Sequence, residues 1–131
     1  MEQYDPYSGP SMDEWKSLDE AEQIVLVEEY HRQAGEELPN HRVHAVIHTV
    51  VENQVAMGDE IPIAAAFKRL MNEGLDRHEA VHAIGNALVE HIYEMETGNP
   101  SKDPDERNRQ YYAKVQAMTA EKWRESGEEE E

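Results

Sequence analysis

The chain has no cysteine. Disulfides, thiolate metal sites and cysteine nucleophiles are therefore excluded, and any transition metal must be held by imidazole and carboxylate. Basic residues are scarce, 12 Lys and Arg against 29 Asp and Glu, a formal net charge of -17. A surface so acidic repels phosphate backbones and anionic lipid, which argues against nucleic acid and membrane partners. Long apolar runs are missing as well. None approaches the roughly 20 residues a membrane helix needs, and the opening MEQYDPYSGPSMDEW lacks the basic and apolar regions of a signal peptide. A cytoplasmic location is the expectation. No phosphate-cradling glycine loop or Gly-x-Ser-x-Gly elbow is found, so nucleotide and serine-hydrolase chemistry have no support.

What is present is helical. The 131 residues suffice for one compact core, so a single domain is expected. No stretch alternates apolar and polar residues with the two-residue period of a half-exposed strand. Residues 1–10, with two prolines, a glycine, Tyr4 and Tyr7, read as a flexible N-terminal arm that packs through its tyrosines if at all. The bundle domain spans 11–126, and the like-charge run 127–131 is expected to be a disordered acidic tail. Ser11 with Glu14, or Ser17 with Glu20, predicts a capping box for a first helix that ends near Gly35. Asn40 caps a second helix, Pro62 sits in the first turn of a third, Asp76 with Glu79 caps a fourth, and Asp103-Pro104 opens a last helix that carries Tyr111, Val115 and Trp123. Short connections favour antiparallel neighbours, so the class is all-α, a bundle of four to five helices.

Seven histidines carry the chemical interest, at 31, 41, 44, 48, 78, 82 and 91. Residues four apart on a helix differ by about 40° around its axis. His44, His48 and Glu52 therefore form one stripe of the second helix, at the margin of an apolar arc made by Val43, Val46, Ile47, Val50 and Val51. His78 and His82 repeat the arrangement beside Val81, Ile84, Leu88 and Ile92. Two helices offering such pairs can supply several nitrogens to one ion or a close pair of ions, as facing helices do in bundle cores. Neutral imidazole suits transition metals, with zinc and iron the leading candidates, and Glu52 adds an oxygen that binds directly or orients a histidine from behind. Helix-edge histidines in an acidic chain also pair with carboxylates, and on that reading the protein is a non-catalytic interaction module, with a protein partner or a second copy of the chain as its target. Grouped imidazoles raise one more expectation, a conformational response between about pH 5 and 8. His31 and His91, with no histidine four residues away, read as ordinary surface or core-edge residues.

His78-Glu79-Ala80-Val81-His82 also fits the His-Glu-x-x-His pattern of zinc peptidases, in which the Glu serves as general base; Glu79 is then the candidate catalytic residue of a zinc hydrolase. Such sites need a substrate-aligning edge strand, which this sequence does not offer, and Glu79 equally suits the capping box opposite Asp76.

The central segment, about 38–95, resembles the small bacterial proteins known as domain of unknown function 1841. The likeness rests on His44, His48, Glu52 and Gln54, followed after a linker by His78, Glu79, Ala80 and His82. It implies helical structure and suggests that the two histidine groups belong to one feature. It implies no metal and no reaction.

Overall fold

The computed structural model describes residues 3–35 and 40–126. Among these residues there is no strand, and seven helices follow in order: α1 (Met12–Ser17), α2 (Glu20–Gln33), α3 (His41–Ala56), α4 (Ile63–Asn72), α5 (Arg77–Thr97), α6 (Pro104–Gln116) and α7 (Ala120–Glu125). The all-α bundle is as expected, with α1 and α7 as short additions to five longer helices.

Caps explain where the helices begin. Asn40 accepts from the amide of Val43, and Asp76 and Glu79 form a reciprocal capping box. The first box lies elsewhere than expected: Asp19 and Glu22 make it, and neither Ser11 nor Ser17 takes part. The expected first helix is thereby split, because Leu18 is extended and Asp19 restarts the chain. The last helix is split in the same way at Thr119, whose hydroxyl accepts from the amide of Lys122. Pro62 stands at the N-cap of α4 instead of inside its first turn. The acidic tail lies outside the described residues.

The core has two parts. The larger gathers Ile47 and Val51 of α3, Ile63, Phe67 and Leu70 of α4, Val81, Ile84 and Leu88 of α5, and Tyr111, Val115 and Trp123 further on. The smaller joins Tyr4, Trp15, Ile24, Val27 and Ala45. Helix α3 serves both, packing on α2 on one side and on α4 and α5 on the other. That double duty alters which of its faces is inside. Val43, expected in the apolar arc, is 50% exposed, while the His44–His48–Glu52 stripe is almost wholly buried. The stripe lies between the two core clusters, where a helix with neighbours on opposite sides has little margin left. Ile92, expected on the buried arc of α5, is exposed as well.

Residues 3–10 form no helix, yet they lie against the body. Tyr4 is 3% exposed, and the carbonyl of Pro6 accepts from a guanidinium nitrogen of Arg77 at 2.9 Å. Gly9 has φ +82°, a left-handed conformation that suits glycine, and a side chain there would meet the guanidinium of Arg77 at under 3 Å. No helix among the described residues is long and apolar enough to cross a membrane.

Candidate metal centre

Three helices bring five imidazoles together. Helix α3 contributes His44 and His48, α5 contributes His78 and His82, and α2 contributes His31. His31, His48, His78 and His82 each offer a ring nitrogen, and these four atoms lie within 4.8 Å of one another. His44 stands beside the group, its Nε2 3.0 Å from the Nε2 of His31. On the other side the Nε2 of His82 is 2.8 Å from that of His48. Ring centroids are separated by only 4.3 Å for His78 and His82 and 4.8 Å for His48 and His82. All are buried except His82, which is half-buried.

His31 is not the ordinary surface or core-edge residue expected: it is 1% exposed and belongs to the cluster. No histidine repeats four residues away on α2, which is why pairing alone misses it. The signal that finds it is the buried stripe Ile24, Val27, His31, spaced as one helix face. His91 is also buried, but it lies apart, against the ring of Tyr111 at 5.4 Å. His41 is exposed on the first turn of α3.

Two nitrogens on one ion, each about 2.0–2.1 Å from it, lie roughly 2.9 Å apart at a right angle and roughly 3.3 Å apart at the tetrahedral angle. Two nitrogen pairs, His48 with His82 at 2.8 Å and His31 with the adjoining His44 at 3.0 Å, have the first of these spacings, which is also that of an N–H···N hydrogen bond. The full group is wider, its nitrogens lying within 4.8 Å of one another, so the rings must move inward to bring all four to one ion.

The electrostatics favour neutral rings. Burial, reinforced by the neighbouring His31, His82 and His78, lowers His44 to about 3. Burial and the same crowding hold His48 well below its ordinary value. His44 is thus neutral throughout the range about pH 5 to 8, and His48 is held toward its neutral form. Neutral imidazole is the metal-binding form. The tautomer of His31 is fixed as well. Its Nδ1 lies 2.8 Å from the carbonyl of Val27, which can only accept, so Nδ1 carries the proton and Nε2 keeps its lone pair toward the cluster.

Glu52 lies on the same stripe but faces other partners. Its oxygens accept from Arg77 at 2.7 and 2.8 Å, as a bidentate pair, and from the hydroxyl of Tyr4 at 2.5 Å. It is fully buried and does not join the group of four ligand atoms. Burial and the Glu52 carboxylate hold the Tyr4 phenol well above its usual range, so it is protonated. Glu79 is engaged in the α5 capping box, its Oε1 3.4 Å from the amide of Asp76. The edge strand a peptidase needs is absent among the described residues.

Aromatic rings close the cluster on the side of the N-terminal segment. Tyr7 stands edge-on to His78 at 4.9 Å, Tyr30 to His31 at 5.1 Å and Tyr4 to His48 at 6.2 Å. Tyr4 and Tyr30 also line an open cleft of about 470 Å³ together with Asp5, Glu29 and Gln33.

Fold and site define an all-helical protein with a cluster of histidines, able to hold a metal ion, enclosed between three helices. The chain belongs to the family described as domain of unknown function (DUF1841), whose model matches residues 12–117. That span extends the likeness beyond the central segment to α1, α2 and α6, and so takes in His31. No curated protein and no solved structure matches the chain.

Proposed function

We propose that this protein binds one transition metal ion through His31, His48, His78 and His82, with His44 adjoining as a further nitrogen. The observation that carries the reading is the convergence of four ring nitrogens, from three helices, within 4.8 Å. The chemistry of the donors supports it: imidazole nitrogens suit zinc or iron in its divalent state, and burial keeps His48 toward the neutral form that binds metal. Helix-edge histidines satisfied by surface carboxylates would not crowd together in this way, and among the described residues the only buried carboxylate, Glu52, is taken up by Arg77 and Tyr4. On this reading Glu52 acts behind the ligands and Glu79 holds the start of α5.

The test is elemental analysis of protein purified without an affinity tag, compared with the variants His48→Ala/His82→Ala, His31→Ala and His91→Ala. Close to one equivalent of metal is expected in the wild type and in His91→Ala, none in the double variant, and a reduced content in His31→Ala. Equal, near-zero metal in all four proteins overturns the reading.

A further inference from the structure

We infer that Tyr4 is a positioning residue for this cluster: its phenol oxygen accepts a hydrogen bond from Nδ1–H of His48, which leaves Nε2, the atom that meets His82, as the lone pair offered to an ion. Hydrogen-bond polarity sets the roles along this network. Arg77 can only donate, and it grips both oxygens of Glu52 at 2.7 and 2.8 Å. Glu52 beside a guanidinium is a carboxylate and can only accept, so the single proton of the Tyr4 hydroxyl goes to it, at 2.5 Å. The phenol oxygen then has only lone pairs left. The nitrogen facing it, Nδ1 of His48 at 3.4 Å, is a donor by elimination. Donation therefore converges on Glu52, from Arg77 on one side and from His48 through Tyr4 on the other, and the His48 end is left in a fixed tautomer. Tyr4 is the counterpart of the Val27 carbonyl behind His31.

The sequence gives no local sign of this role, since Tyr4 lies 44 positions before His48 and ahead of the residues matched by the family model. The inference rests on the metal-binding reading only for the use made of the lone pair; the tautomer is a property of the protein by itself.

The test therefore has two arms. In the first, nitrogen chemical shifts of histidine-labelled, metal-free protein are recorded at pH 7.5 for the wild type and Tyr4→Phe. His48 is expected as the Nδ1–H tautomer in the wild type and as a mixture in Tyr4→Phe, with His31 unchanged in both. In the second, the affinity for Zn²⁺ is measured by chelator competition, and a loss of about 10- to 100-fold is expected in Tyr4→Phe, the scale typical of groups that orient a ligand from behind. A wild-type His48 protonated on Nε2 overturns the proposal whether or not the variant folds, and so does a tautomer that does not respond to the substitution. If the tautomer shifts as expected but the wild type binds no Zn²⁺, the positioning role stands and the metal reading falls.

Discussion

At the scale of single residues, the most exacting contact is the buried pair of Glu52 and Arg77. Glu52 is shielded completely from water, and Arg77 is 13% exposed. Removing one member of such a pair strands the other charge, at a cost of about 3–5 kcal/mol. Arg77→Ala is expected to lower stability by that amount in urea unfolding, and Glu52→Gln/Arg77→Met by distinctly less, because the double variant leaves no bare charge inside. Equal losses in the two would mean that the guanidinium acts through its packing on the Phe67 ring, whose centroid is 5.1 Å away, and through its bond to Pro6. The pair also explains what the sequence could not disclose about Glu52. Spacing places it correctly on the histidine stripe, but the partners that claim its oxygens, Tyr4 and Arg77, are 48 and 25 positions away. Nothing local marks either as a neighbour.

At the scale of elements, the starts of the two helices that carry the histidine pairs are the most legible feature. Asn40 and the Asp76–Glu79 box work as their residue types predict, because a cap is decided within four residues. What the sequence left obscure was which face of α3 is inside. Apolar periodicity assumes one core, whereas α3 lies between two, and its polar stripe fills the space between them. His31 was hidden for a related reason: the second core, formed with α2, is what draws it inward. The cap of α5 bears directly on the site, since His78 is the second residue of that helix. Asp76→Ala is expected to cost about 0.5–2 kcal/mol and to fray the turn that presents His78. Amide exchange should quicken in the first turn of α5 and not at its far end; uniform exchange along α5 would refute a local role for the cap.

At the scale of the whole molecule, enclosing neutral histidines ties stability to pH. His44 has a folded value of about 3 against an ordinary 6.5, and His48 is lowered in the same direction. Above pH 6.5 the rings are neutral in both folded and unfolded chains, and protonation favours neither. Below it the unfolded chain gains protons that the folded chain refuses, so stability falls as the pH drops toward 3. The slope is up to about 1.4 kcal/mol per pH unit for each such ring. Urea midpoints of the metal-free protein should decline steadily from pH 6.5 to 4.5, with a shallower decline in His44→Asn. Midpoints that stay level over that interval would contradict the assigned burial.

The convergence of α2, α3 and α5 on one cluster has a further meaning for a chain without cysteine. An ion held by His31, His48, His78 and His82 would tie three distant stretches of backbone at a single knot, closing loops of about 17 and 30 residues at once. Cross-links of that span act on the unfolded chain by shrinking the space it can explore, with an effect that grows slowly with loop length. The cation would then do for this protein what disulfides do for small secreted ones, as a staple that can be withdrawn by removing the metal instead of by reduction.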